Sequence, residues 1–73
     1  MEIQIHNTSK IVILNGIPAR IWEGVTSSGI AVHCFITRIA VANYEDTTQF
    51  EQELQEQKPP SAEVEVYPLR LVL

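Results

Sequence analysis

The chain is poor in cysteine, glycine, proline and positive charge, and each scarcity excludes something. A single cysteine, Cys34, leaves no internal disulfide. Together with two isolated histidines, His6 and His33, it matches no usual zinc spacing, so no metal and no cofactor is expected. Five Lys and Arg against nine Asp and Glu give a net charge of −4, which argues against general nucleic-acid binding. Gly24, His33 and Arg38 interrupt the apolar runs, so no stretch reaches the ~20 residues that a membrane-spanning helix needs. Met1 leads into EIQIHN without a basic and then apolar leader, so a cytoplasmic protein with a reduced Cys34 is expected. Neither GxGxxG nor GxxxxGK[ST] is present, and no set of nucleophile, base and orienting group stands out.

What is present is a β-rich chain with 45 % apolar residues and one domain's worth of length, 1–73. A chain this short buries only roughly 60 % of its unfolded surface. Disulfide and metal being excluded, oligomerisation is the remaining way to gain stability, and a homo-oligomer is expected. The charge is unevenly placed. Between Glu45 and Glu65, seven acidic residues (Glu45, Asp46, Glu51, Glu53, Glu56, Glu63 and Glu65) stand against a single Lys58, so the sheet-forming part is the less acidic one.

Along the chain, residues 2–6 alternate Ile3 and Ile5 with polar neighbours, as a half-buried strand does. Asn7, Thr8 and Ser9 read as a turn that ends it. Ile11-Val12-Ile13-Leu14 has no alternation and should be covered on both faces. Asn15-Gly16 predicts a two-residue type I′ hairpin that pairs Leu14 with Ile17 and Val12 with Ala19. Pro18, lacking an N–H, belongs at an open edge or a non-bonded site.

Thr26-Ser27-Ser28-Gly29 predicts a four-residue loop. Val25 then faces Ile30, Glu23 faces Val32, Ile21 faces Cys34 and Ala19 faces Ile36. In that register Arg20, Trp22, His33 and Phe35 share one face, and Cys34 lies on the apolar one. Glu23 falls on the core side, where solvation near the loop is expected to satisfy it. Parity breaks after Ile36, which predicts a β-bulge near Thr37-Arg38.

Asp46 reads as the N-cap of a helix with Gln49 three residues on, Phe50 and Leu54 as its apolar stripe, and Pro59-Pro60 as its stop. Residues 63–73 read as a closing strand that is either kinked at Pro68 or placed at a sheet edge. The expected fold is α+β: a small, curved, mainly antiparallel sheet of four or five strands in the order β-β-β-β-α-β, with one helix packed on one face.

The expected function is that of a small non-enzymatic binding or interaction protein, acting as a homo-oligomer, of the kind found among bacterial and phage accessory proteins. Arg20, Trp22, His33 and Phe35 have the composition of an interface hot spot. Packing against the helix or against a second copy explains the same cluster at less cost in assumption. The alternative is a binder of a small anionic or nucleotide-like ligand at a subunit interface, with Arg20, Trp22, His33 and the hydroxyl-rich loop Thr26, Ser27 and Ser28 lining the pocket. His33 and Cys34, being adjacent on a strand, point to opposite faces and make no nucleophilic pair.

Overall fold

The computed structural model describes residues 1–65. Three strands form one open antiparallel sheet in the order β1-β2-β3: β1 is Ile3–Leu14, β2 is Ile17–Thr26 and β3 is Ala31–Ile36. An eight-residue helix, α1 (Thr47–Leu54), and a four-residue helical turn, α2 (Ala62–Glu65), follow. The class is α+β, with the predicted helix in place.

The Asn-Gly hairpin forms as its chemistry requires. Asn15 and Gly16 take φ of 51° and 80°, the positive values of a type I′ turn, and Leu14 pairs with Ile17 and Val12 with Ala19. Pro18 lies beyond Arg20↔Ile36, the last pair of β2 with β3, so its missing N–H costs no ladder bond on that side.

Two expected strands are one. Asn7, Thr8 and Ser9 do not turn the chain; they mark a bulge inside β1, where the register shifts between Asn7↔Trp22 and Ile11↔Arg20. Turn formers suit a bulge because their side chains satisfy backbone groups that leave the ladder. Thr8, fully buried, donates its hydroxyl to the Ile21 carbonyl at 2.7 Å and accepts from the Lys10 N–H at 3.2 Å. On the outer side the Lys58 N–H reaches the Asn7 carbonyl and the Ser9 N–H reaches the Lys58 carbonyl. The buried Asn7 side chain donates to the carbonyl of Leu54, the last residue of α1, at 2.7 Å. The bulge is therefore where the segment after α1 is tied to the sheet.

The second hairpin also differs. Gly29 N–H bonds the Thr26 carbonyl, Thr26 N–H bonds the Ile30 carbonyl, and Gly29 has φ of 87°. This is a type I turn followed by a left-handed residue, a three-residue loop of Ser27, Ser28 and Gly29. One residue fewer in the loop moves every pair by one: Val25↔Ala31, Glu23↔His33, Trp22↔Cys34, Ile21↔Phe35 and Arg20↔Ile36. The two faces of β3 are thereby exchanged relative to expectation.

Strand β3 stops at Ile36 and the chain leaves the sheet, so the parity break at Arg38 marks a strand end, not a bulge. Residues 62–65 are helical, so 63–65 are helix where a strand was expected, and the rest of that predicted strand, 66–73, lies outside the described residues.

The buried apolar core of the described residues is small: Ala19, Ile21 and Val64. Ala19 and Ile21 share a sheet face with Glu23, and the Glu23 carboxylate accepts from the Ser61 N–H at 2.9 Å, which holds the start of α2 against that face. The other face carries Ile11, Pro18, Arg20, Trp22 and Ile36, and Phe50 and Leu54 of α1 lie over it. Asp46 caps α1 by accepting from the Thr48 N–H at 2.9 Å.

Candidate binding groove

A groove of about 270 Å³ opens between α1 and the sheet face that carries Trp22. Its sheet side is formed by Ile11, Pro18, Arg20, Trp22 and Ile36. Phe50 and Leu54 form the helix side, and Thr37, Arg38 and Ile39, where the chain leaves β3, close one end. The geometry follows from local sequence. Residues of one parity on β2 bring Pro18, Arg20 and Trp22 to a single face. The four-residue spacing of Phe50 and Leu54 aims both at that face from one side of α1.

Arg20 is held in place. Its guanidinium donates to the Thr8 carbonyl at 2.9 Å, one of the groups that the bulge displaces from the ladder. Trp22 is half-buried, and Arg38 and Ile39 are exposed at the rim. Among the described residues, no carboxylate, imidazole or thiol lines the groove. Arginines beside an indole and aliphatic side chains can hold a planar or apolar body and an anionic group.

The residues singled out from sequence are split by the observed register. Arg20 and Trp22 line the groove. His33 and Phe35 lie on the opposite sheet face, paired with Glu23 and Ile21, because the loop is three residues and not four. Cys34, expected on the core face, is directly opposite Trp22 on the groove face. Thr26, Ser27 and Ser28 sit at the end of the β2–β3 hairpin and line no part of the groove. Thr26 Oγ1 accepts from the Ile30 N–H and shares a 3.1 Å hydrogen bond with Ser28 Oγ, so these hydroxyls stabilise the turn.

Sequence reasoning missed Arg38 and Ile39 as groove residues. The signal was the parity break after Ile36, which marks a strand end as well as it marks a bulge. Glu23, expected to be solvated, is half-buried and anchored by Ser61, with His6 and His33 as its neighbours on either side across the strands.

Among the described residues, no group of three or more His, Cys, Asp or Glu is placed to hold a metal ion, and no helix is long and apolar enough to cross a membrane. No protein-family model, curated protein or solved structure matches the chain.

Proposed function

We propose that the protein is a small non-enzymatic binding module that works as a homo-oligomer, its copies joined along the outer edge of β1. The observation that carries this reading is the state of Ile11–Leu14. This apolar run was expected to be covered on both faces, yet Ile11 and Ile13 are 51 % and 63 % exposed, and Ile17 across the turn 54 %. Strand β3 reaches no further than the pair Arg20↔Ile36, which among the described residues leaves the outer part of the β1–β2 hairpin without a third strand.

Among the described residues nothing past Thr8 guards the outer edge of this stretch. Residues flanking a two-residue turn form a hydrogen-bonded pair, so Leu14 and Val12 direct their backbone groups to β2 while those of Ile11 and Ile13 point away. Lys58 covers the edge at Thr8, on the far side of the bulge. Past it, Ile11-Val12-Ile13-Leu14 carries no charge and no proline, the usual devices that keep edges apart. A second copy in antiparallel orientation, with Ile11 of one opposite Ile13 of the other, satisfies both edges by two-fold symmetry. The contents of the groove support binding over catalysis, since arginines, an indole and aliphatic side chains supply no acid–base pair.

Sedimentation equilibrium of the native chain and of Ile13→Lys tests the reading. The native chain is expected at twice its chain mass at tens of micromolar. Ile13→Lys is expected at the single mass with an unchanged circular dichroism spectrum, because that side chain is exposed in one copy. A native chain that stays at the single mass up to about 100 µM overturns the proposal. So does association that Ile13→Lys leaves intact.

A further inference from the structure

The groove is a cationic island on an acidic chain. Net charge is −4, yet among the described residues no lining residue is acidic and two are arginines, Arg20 and Arg38. Among the described residues the one ion pair joins Lys10 to Glu65, and neither arginine meets a carboxylate. Arg20 uses one N–H group on the Thr8 carbonyl, which orients the guanidinium and leaves its other donors available. Arg38 stands exposed at the groove's end. Beside them Trp22, Phe50 and Leu54 offer an apolar wall.

We propose that this groove binds a small amphipathic anion, with its carboxylate or phosphate held by Arg20 and Arg38 and a planar or short aliphatic body against Trp22, Phe50 and Leu54. The chemistry is complementary at both ends. A guanidinium takes two oxygens of a carboxylate or phosphate through parallel hydrogen bonds, and an indole face accepts a ring or an alkyl chain. Size narrows the class further. At about 270 Å³ the groove falls just below the roughly 300–1,000 Å³ of ordinary ligand pockets, which suits one ring or a short acyl chain. The described lining residues all belong to one copy, so the proposal goes beyond self-association and stands or falls separately from it.

Trp22 is the only tryptophan in the chain, so its fluorescence reports on the groove alone. The native protein is titrated with phenyl phosphate, benzoate, benzyl alcohol and inorganic phosphate. Phenyl phosphate, benzoate or both are expected to give a saturable change, and the preference between them assigns the head group. Benzyl alcohol, lacking the charge, and inorganic phosphate, lacking the body, are expected to bind at least about tenfold more weakly. Arg38→Gln, whose side chain is exposed and bonded to nothing among the described residues, is expected to weaken the anion by about tenfold or more while leaving the melting temperature unchanged. Lys58→Gln, outside the groove, is expected to leave the affinity as it is.

The proposal is overturned if neither anion saturates, if benzyl alcohol binds as tightly as the anions, or if Arg38→Gln binds as well as the native chain. Tighter binding of the dipeptide Gly-Phe than of benzoate and phenyl phosphate overturns the small-molecule assignment in favour of a protein C-terminus.

Discussion

Cys34 lies directly across from Trp22, on the groove face of the sheet. In a four-residue loop register that partner would be His33, and the thiol would point to the core. Directly opposed residues on antiparallel strands have Cα atoms about 4.5–5.5 Å apart, inside the range of about 4.4–6.8 Å that a disulfide accepts. Trp22→Cys is therefore expected to close a cross-strand disulfide with Cys34 under mild oxidation. Glu23→Cys, on the other face, is expected to leave both thiols free. Peptide mapping without reductant reads both results. Failure of Trp22→Cys to form the bond would sink the pairing of Trp22 with Cys34.

That register was the part of the fold least legible in the sequence, for a physical reason. Residues 31–36 are apolar on both parities, with Ala31 and Phe35 on one and Val32, Cys34 and Ile36 on the other. Side-chain pattern alone cannot choose between them. The choice rests with the turn, and Thr26-Ser27-Ser28-Gly29 suits a loop of three residues or of four. Asn15-Gly16 was legible because only one two-residue turn demands positive φ at both positions. Asp46, Phe50 and Leu54 were legible because cap and stripe are local features of α1. The bulge at Thr8 was not, since it depends on partners from remote parts of the chain: the Ile21 carbonyl and the backbone of Lys58. Of the groove, Arg20 and Trp22 could be found by parity. Arg38 could not, because its place depends on where β3 ends.

Gly24 sits in the middle of the central strand, between Ile5 of β1 and Val32 of β3. A Cβ there would run into the Gln4 carbonyl and lie 2.7 Å from Ile5 Cα. Both obstacles are backbone atoms of a paired strand, so neither can swing aside as a flexible side chain would. Gly24→Ala is expected to destabilise the fold by about 1–3 kcal/mol, despite the better strand propensity of any residue with a side chain. Urea unfolding should show a lower midpoint with an unchanged slope. A midpoint equal to that of the native chain would mean that β1 and β2 are not this close.

Glu23 occupies the middle of a row, His6–Glu23–His33, that crosses all three strands on the core face. Partial burial by itself raises the pKa of its carboxyl. The hydrogen bonds from Ser61 outweigh that penalty, helped by the positive charge available on His33 and His6, and hold the pKa below its ordinary value of 4.5. A carboxyl with a depressed folded pKa contributes stability that is present above the unfolded pKa and is lost as pH falls through the folded one. The contribution also has a structural object, the tie between the sheet and Ser61, the residue just before α2. Glu23→Gln keeps the size and removes the charge. The stability difference between native and variant is expected to be on the order of 1 kcal/mol near neutral pH, the scale of a partly exposed charge-assisted hydrogen bond. It should shrink as pH drops below about 4.5, since protonating the native carboxylate makes the two chains alike. Chemical denaturation at a series of pH values measures it. A difference that stays constant from neutral to strongly acidic pH would show that the Glu23 charge does not hold Ser61 in place.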